Sequence, residues 1–431
     1  MTTVGLPAPG PVGAHTGHVA GSASYRRIVV ALMAGGLANF SLMYFVQPLL
    51  PALAAHYRVS AAESSHALSV TTLTIIAGLL VTGPLADRVG RVPVMRWSLL
   101  ASGVLGIASA LAPDWTTLLV TRGLLGFTLA GLPAAALAYL REEVAAGSHA
   151  RANAAYIAGT AAGGAAARLL PVPLEALGGW PLAAGVVALV TVVAGALMSV
   201  LLPSSAGFAP GPVELREAVL GTLAALGDRV VALLCVAGFA AMGAFVGTYN
   251  AIGFRLQAPP FQLGARASLV YLAYPVGIAA PLVARALAAR AGRGRAVGGG
   301  LLLLAGSLAL LSVSDLAAVV AGLALEGFAF LGVHSLLSGW VVDRALRRGR
   351  GTAQASSAYL GTYYLGSTIA GALATLLWQA VGWAGVAVLA GALTLVALLA
   401  TVAAARTDQT TSTVVDRVRF TTVQPVGRGT P

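Results

Sequence analysis

The sequence predicts an all-α membrane protein whose twelve transmembrane helices form two parallel halves of six helices. Only 9% of the 431 residues are charged and 58% are hydrophobic, whereas a soluble chain carries about 25% charged residues. Long apolar stretches also recur along the chain, and pairs of residues match at a nearly constant separation. The composition excludes an ordinary soluble globular protein, because so few charges could not cover its surface.

Each predicted membrane span is a run of about 20 mostly apolar residues, the length that a helix needs to cross a bilayer. Short turns such as Pro113-Asp114-Trp115 separate neighbouring runs. In chain order the predicted spans are 27–50, 65–86, 93–111, 116–140, 153–171, 181–202, 230–254, 267–289, 296–313, 317–341, 354–377 and 383–405.

Three segments lie outside these spans. Residues 1–25 and 406–431 are predicted to be disordered cytoplasmic tails, and residues 203–229 join the sixth span to the seventh. In this linker the apolar residues recur at helical spacing at Leu215, Val219 and Leu223. That pattern predicts either an amphipathic helix lying in the membrane interface or a solvated linker helix.

The arginines predict which side of the membrane each connection faces. The chain has 26 basic residues, all of them arginines, and 21 lie in the tails and the even-numbered connections. Positive residues accumulate on the cytoplasmic side, so we expect a multi-pass protein of the cell inner (plasma) membrane with both termini cytoplasmic. This topology also explains the net charge of +12, and no nucleic-acid partner is predicted.

An internal repeat predicts the two halves, residues 26–202 and 230–405. The pairs Gly179-Trp180 and Gly382-Trp383, Gly163 and Gly366, and Gln47 and Asn250 are each 203 positions apart. Two further pairs have nearly the same separation: Gly90-Arg91 with Gly292-Arg293, and Asp114 with Asp315. Because six spans are an even number, the halves have the same orientation. Parallel halves of this kind characterise one large class of secondary transporters.

The loop between the second and third spans carries a known motif. Residues 83–91 read GPLADRVGR, which resembles the G-x-L-a-D-r-x-G-r loop of the major facilitator superfamily. Arg122 and Gly126 resemble the fourth-span R-x-x-x-G motif of its proton-coupled drug antiporters, and further motifs at 44–51 and 363–367 resemble its YnfM-like branch of inner-membrane exporters. The resemblance covers roughly residues 26 to 405 and implies the major facilitator fold.

The fifth span departs from the antiporter pattern G-x-x-x-G-P-x-x-G-G. It reads GTAAGGAAAR over residues 159–168, so the proline is missing and Ala167-Arg168 replaces a glycine pair. Since the resemblance takes that motif as a mark of export, its absence counts against antiport. Proton-coupled efflux by alternating access remains the predicted function, with a proton-coupled importer or a facilitator of the same fold as the alternative.

The loop motif is predicted to form a gate. Asp87 is expected to pair with a nearby arginine or with a helix N-terminus across the bundle. The resemblance implies that these contacts hold the halves together on the cytoplasmic side. The alternative is a plain positive-inside loop with a tight turn. The predicted gating residues are Gly83, Asp87, Arg88, Gly90 and Arg91.

Three ionisable residues inside the spans are candidates for proton coupling. A charge at that depth costs several kcal/mol unless it faces water or a partner. Arg122 is predicted to couple protons or bind a substrate anion, or alternatively to bond helix carbonyls. Glu326 is a candidate proton carrier, and His334 lies about 80° around and 12 Å along the same helix. The alternative for Glu326 is a carboxyl group that stays protonated. The alternative for His334 is a histidine bonded to a neighbouring helix.

Amides and tyrosines are the candidates for the substrate cavity, and glycines for close helix packing. Tyrosines also form interface belts in membrane proteins, so packing is the alternative for each of them. The predicted cavity residues are Gln47, Asn250, Asn39, Tyr44, Tyr249, Tyr271, Tyr274 and Tyr363, and the predicted packing glycines are Gly159, Gly163, Gly361 and Gly366.

No enzymatic chemistry is predicted. The chain has no phosphate-binding loop, zinc-ligand spacing or dinucleotide fingerprint, so no catalytic residue, metal or cofactor is expected. The predicted partners are a small-molecule substrate, protons and the lipid bilayer, and the protein is expected to function as a monomer.

Overall fold

The computed structural model describes residues 17–208, 210–211, 215–349 and 351–422, and long helices make up most of them. In the first half the long helices are α1 (Ala23–Tyr44), α2 (His66–Val89), α3 (Arg91–Ala110), α4 (Trp115–Leu129 and Gly131–Glu143), α5 (His149–Leu169) and α6 (Pro171–Leu201). In the second half they are α7 (Arg229–Gln257), α8 (a 3-10 segment, Gly264–Ala279, then Ala280–Ala291), α9 (Arg293–Ser312), α10 (Leu316–Arg347), α11 (Thr352–Val381) and α12 (Trp383–Thr422).

Eleven of these helices are long and apolar enough to cross a membrane. The helix of the fifth predicted span, α5, is not apolar enough to meet this criterion. It is rich in alanine and glycine and also contains Arg151, Asn153 and Arg168. The outer surface suits lipid, since many large apolar side chains are exposed, among them Val200, Leu302 and Val388. The described residues contain no β-strand, in agreement with the predicted all-α class.

The repeat recurs in backbone geometry. Gly90 and Gly292 both have positive φ angles, +103° and +85°, at the turns after α2 and α8. Gly179 and Gly382 likewise have φ angles of +73° and +71°. Such angles favour glycine because a side chain would clash. Each repeated glycine therefore makes the same turn in both halves.

The turn at Gly179 changes where the fifth span ends. Leu170 has helical backbone angles, whereas Gly178 and Gly179 do not. The first seven residues of α6 therefore continue α5, and the membrane part of α6 starts at Trp180. The sequence places the end of this span at 171 because Pro171 and Glu175 interrupt the apolar run.

Contacts between the halves involve few elements. Helix α2 packs against α11, α5 packs against the 3-10 segment of α8, and the short helix Leu50–Tyr57 after α1 packs against α7. The linker forms a helix over Leu215–Ala225, and this helix contacts both α2 and α11. We call the side that carries the linker the arginine-rich face and the other side the opposite face.

Parts of the predicted disordered tails are ordered in the described residues. His18 N donates to Glu143 O at 2.8 Å and Ala145 N donates to His18 O at 3.1 Å, so the segment before α1 lies on the α4–α5 loop. Helix α12 continues beyond 405 because Asp408 accepts hydrogen bonds from Trp340, Arg344 and Arg347. Residues 1–16 and 423–431 of these tails lie outside the described residues.

Two repeated glycines bring helices into backbone contact. A Cβ on Gly163 would lie 2.3 Å from Leu37 O of α1, and a Cβ on Gly366 would lie 2.1 Å from Phe239 O of α7. Gly159 approaches Met33 O in the same way, at 2.5 Å. At Gly361 the nearest atom, Ile76 Cγ2, is 3.7 Å away, so packing there does not require glycine.

We expect Gly163→Ala to destabilise the protein by about 1–3 kcal/mol, because the added methyl group would push α5 away from α1. Thermal unfolding of the purified protein in detergent measures the effect. Gly361→Ala is the matched control and should unfold at the wild-type temperature. Equal melting temperatures for both variants would contradict the close contact.

Candidate substrate site between the two halves

Gln47 and Asn250 meet at the centre of the interface between the halves. Gln47 Nε2 donates a hydrogen bond to Asn250 Oδ1 at 2.8 Å, and both residues are buried. Residues at equivalent positions of two repeats can touch only near the axis that relates the repeats. This hydrogen bond therefore marks the pseudo-twofold axis. Gln47 Oε1 and Asn250 Nδ2 have no hydrogen-bond partner.

Arg168 of α5 lies beside this axis inside a group of aromatic rings. Its guanidinium carbon lies 4.4 Å from the ring centroid of Tyr274 and 5.1 Å from that of Tyr249. Tyr44 and Phe245 complete the group at 5.2 and 5.6 Å. We call these four rings the aromatic cage. They come from α1, α7 and α8, so the cage joins the halves.

The polar contacts of Arg168 are few. Its side chain is only 1% exposed. Nη1 donates to Gly164 O at 2.8 Å, one turn earlier on the same helix, and Nε has no partner. Among the described residues no carboxylate pairs with this guanidinium.

Arg168 is not among the predicted site residues, although the sequence contains a signal for it. The arginine falls inside the predicted span 153–171, at a depth where a charge requires an explanation. It also replaces a glycine of the antiporter pattern. Together these two features mark it as more than a residue of a connecting loop.

Glu326 of α10 lies behind one ring of the cage. It is fully buried, and neither carboxyl oxygen has a hydrogen-bond partner. The Thr248 hydroxyl lies near this carboxyl group. It donates its hydrogen bond to Ala244 O at 3.0 Å. Tyr249 connects the two regions, because its ring lies over Arg168 and its hydroxyl donates to Leu323 O on α10 at 3.2 Å.

His334 lies further along α10 and has a partner on a neighbouring helix. A ring nitrogen, Nδ1, lies 3.0 Å from the Tyr359 hydroxyl of α11. Its ring is 4.6 Å from that of Tyr363 and 6.1 Å from that of Phe330, and Phe330 stacks on Phe245 at 4.1 Å. A column of rings thus runs from the cage to His334.

The remaining predicted cavity residues are buried near this site or along α1. Tyr271 donates its hydroxyl to Tyr249 O at 3.4 Å. Asn39 is fully buried, and neither of its side-chain amide atoms has a partner.

Arg122 lies apart from the other proton-coupling candidates. Its Nε, Nη1 and Nη2 donate to Ala67 O, Leu42 O and Met43 O at 3.1, 3.1 and 2.9 Å. These carbonyls lie at the end of α1 and the start of α2. The geometry supports the alternative structural interpretation, in which Arg122 fastens the end of α1 and the start of α2 to α4.

The predicted gating residues interact within the first half. Asp87 pairs with Arg91, which also donates to Glu142 Oε1 at 3.0 Å. The linker reaches the same loop, since Gly211 N donates to Asp87 O at 3.2 Å. In the second half Arg293 pairs with Asp343 at 2.5 Å. Among the described residues, therefore, the predicted contact from Asp87 to the second half is not formed in this conformation.

Gly83 and Arg88 flank Asp87 in the same loop motif. A Cβ on Gly83 would meet no atom within 4 Å, so close packing does not require glycine there. Arg88 lies in the last turn of α2.

A pocket of about 250 Å³ opens between the halves on the opposite face. Pro48, Glu175 and Gln257 line it, and Tyr271 lies on its wall. A larger groove, of about 1190 Å³, lies between helices of the second half on the arginine-rich face and contains none of the predicted site residues.

Comparison with known proteins identifies the family. The family model described as Major Facilitator Superfamily matches residues 32–257. The chain is 35% identical over 380 residues to the MFS-type transporter YybF of Bacillus subtilis, a match that covers 88% of this chain and 93% of that protein. The chain belongs to the major facilitator superfamily. It is also 34% identical to the inner membrane transport protein YnfM of Escherichia coli, over 88% of this chain and 90% of that protein.

A solved structure of the superfamily supports the fold. A bacterial homologue of the human lysosomal transporter Spinster, in an inward-facing and occupied conformation, superposes with a TM-score of 0.68 at 13% identity. The match covers 90% of this chain and 98% of that one. The chain is thus a multi-pass membrane transporter of the major facilitator type, as its loop motif predicts, and members of this family are transporters rather than enzymes.

We expect Asn250→Leu to destabilise this conformation by about 1–3 kcal/mol, because Gln47 would lose its buried partner at the axis. The double variant Gln47→Leu/Asn250→Leu removes both polar groups and should recover most of the loss. Thermal unfolding in detergent compares Asn250→Leu, Gln47→Leu and the double variant. If the double variant loses the sum of the two single losses, the residues do not interact.

Proposed function

We propose that this transporter moves a small molecule against a flow of protons, working as a monomer in a bacterial-type inner membrane, and that Glu326 carries the proton. Export is the direction that the fourth-span motif implies. The two halves would rock about the axis at Gln47 and Asn250 and expose the site first to one side and then to the other.

The state of Glu326 carries this proposal. A bare carboxylate in a low-dielectric interior costs several kcal/mol unless it is paired. Glu326 has no hydrogen-bond partner and no cation of the described residues beside it. This conformation therefore favours a carboxyl group that holds its proton. When the halves open, water stabilises the carboxylate and the proton leaves.

The loop at Asp87 supports a gate on the arginine-rich face, which we take as the cytoplasmic side that holds both termini. Asp87 binds Arg91 here and also holds the linker through its backbone carbonyl. In the alternate conformation we expect the Asp87 carboxylate to meet the N-terminus of α11, whose helix dipole attracts an anion. The pair with Arg91 would then exchange for a contact that closes this face.

Proton-coupled import is the second candidate, and one observation favours it. Arg168 gives the site an unpaired positive charge when Glu326 is neutral. A negatively charged substrate would then bind most readily together with a proton, so both would move in the same direction. The direction of proton flow distinguishes the two candidates.

The experiment uses purified protein in proteoliposomes that contain a pH-sensitive dye. Sugars, drugs and amino-acid metabolites are added outside one at a time, and the internal pH is followed. Antiport predicts that an added substrate drives protons out of the vesicle, whereas symport predicts that it drives them in. Transport of a radiolabelled substrate that is indifferent to an imposed pH gradient would remove proton coupling altogether.

We expect Glu326→Gln to abolish substrate-driven proton movement while substrate exchange between the two sides continues, because glutamine resembles the protonated acid. Glu217→Gln, an exposed acid on the linker helix, is the control and should behave as wild type. Substrate-driven proton movement that survives in Glu326→Gln would assign the proton to another group.

We expect Asp87→Asn to slow transport by about twofold to fivefold, since a partly exposed ion pair contributes up to about 1 kcal/mol. Melting temperature in detergent should change little. Initial rates of substrate uptake into proteoliposomes measure the effect, and wild-type rates would contradict the gate.

A further inference from the structure

We propose that Arg168 recognises the substrate and that the substrate is a small carboxylate with an aromatic or apolar body. This inference rests on the proposed function, because it assigns the ligand class of the same site between the halves.

The first argument compares the buried arginines. Arg122 donates from all three of its nitrogens to backbone carbonyls, and Arg344 pairs with Asp228 and Asp408. A guanidinium has five N–H donors and stays charged at any relevant pH. Arg168 donates one hydrogen bond, and its Nε is buried without a partner. Of these three, Arg168 is the arginine whose charge the protein leaves unmatched. Arg255 likewise donates one hydrogen bond, to Val313 O, and has an unpartnered Nη1, but it lies at the end of α7.

The second argument is the shape of the aromatic cage. Rings that lie over a guanidinium stabilise its charge through their faces. The N–H groups of the guanidinium point outward in its own plane, and on the edge that carries Nε that atom has no hydrogen-bond partner. A carboxylate fits such an edge with two parallel hydrogen bonds. The rings then contact the body of the same ligand, and apolar or aromatic bodies pack best on them.

The third argument is the path to the site. The pocket on the opposite face has Tyr271 on its wall, the Tyr271 hydroxyl donates to the backbone of Tyr249, and the Tyr249 ring lies over Arg168. These contacts connect the pocket to the guanidinium through Tyr271 and Tyr249. The pocket, of about 250 Å³, is smaller than the ~300 Å³ lower bound for sites of drug-sized ligands. A small molecule fits this size.

The side-chain amides of Gln47 and Asn250 at the axis predict that the ligand also carries a polar group. Tyr44, a ring of the cage, is one turn from Gln47, whose backbone N–H donates to Tyr44 O at 2.9 Å. Gln47 Oε1 and Asn250 Nδ2 remain unpartnered. One donor and one acceptor thus stand near the cage, and a hydroxyl group on the ligand body would satisfy both.

The test is binding of sodium benzoate to the full-length protein in detergent, measured by isothermal titration calorimetry. Benzyl alcohol, a neutral molecule of nearly the same shape, is the ligand control. Benzoate should bind to the wild-type protein at least about thirtyfold more tightly than to Arg168→Gln, the effect of removing one partner of a buried charge pair. Benzyl alcohol should bind weakly and equally to both proteins.

Two further variants keep the result interpretable. Arg255 is also a buried arginine beside aromatic rings, Phe261 and Trp383, but at the end of α7. Arg255→Gln should therefore bind benzoate as the wild type does. Arg168→Lys keeps the charge without the planar fork, and its affinity should fall between those of wild type and Arg168→Gln. If Arg168→Gln does not fold, Arg168→Lys carries the test.

Equal affinity of wild type and Arg168→Lys or Arg168→Gln for benzoate would overturn the inference, and so would equal affinity of the wild type for benzoate and benzyl alcohol. Its failure is distinguishable from failure of the proposed function, because binding needs no proton gradient. Benzoate binding through Arg168 without any proton movement would contradict only the proposed proton coupling. Proton movement driven by a neutral substrate, with no benzoate binding, would contradict only the inference that the substrate is a carboxylate.

Discussion

A charge buried in a membrane must be matched by a partner, and this constraint governs where the arginines of the spanning helices point. Arg122 meets the constraint with three backbone carbonyls, and Arg344 meets it with two aspartates at the arginine-rich face. Both arginines thereby fasten neighbouring helices together. Arg168 meets the same constraint only in part, through four aromatic rings from both halves. A binding site for an anion needs a positive charge that has no anionic partner until the ligand binds. Arg168 provides such a charge at the interface between the moving halves.

The repeat supplies the rigid frame around this site. Paired glycines make equivalent turns, and Asp114 and Asp315 cap equivalent helices by accepting from the backbone amides of Thr117 and Ala318. Gly163 and Gly366 set equivalent close contacts. Each half is thus held by local interactions of its own. The halves meet through a few contacts along α2 and α11, α5 and α8, and at the axis, which suits a protein whose halves move against each other.

Most of the fold was predictable, because hydrophobic runs, turn glycines and the repeat are local signals in the chain. The loop motif led to the family, and the spacing of Gln47 and Asn250 predicted that they occupy equivalent positions but not that they hydrogen-bond to each other. The end of α5 was placed too early, because Pro171 and Glu175 look like a helix end until Gly178 and Gly179 are seen to make the turn. The helical extension after 405 depends on Asp408 and its partners on α10, which are far away in sequence.

The centre of the site was only partly predictable for a similar reason. A cage of rings from three helices is a long-range arrangement, so the tyrosines could be proposed singly but not as the surroundings of Arg168. His334 shows the same limit, since its partner Tyr359 lies on another helix. Arg122 was weighted toward function because depth in the span was the available signal, and the three carbonyls that satisfy it are invisible to a sequence pattern.

The axis at Gln47 and Asn250 also has a directional consequence. A site with true twofold symmetry would accept its ligand in two equivalent orientations. Here the repeat equivalent of Arg168 is Gly371, whose missing side chain leaves space for the Asn250 amide. The first half therefore supplies the charge of Arg168, and the second half supplies the space beside Gly371. A carboxylate held by α5 would point its other end toward α10, the helix that carries both Glu326 and His334, so different halves of the protein would bind the two ends of one small molecule.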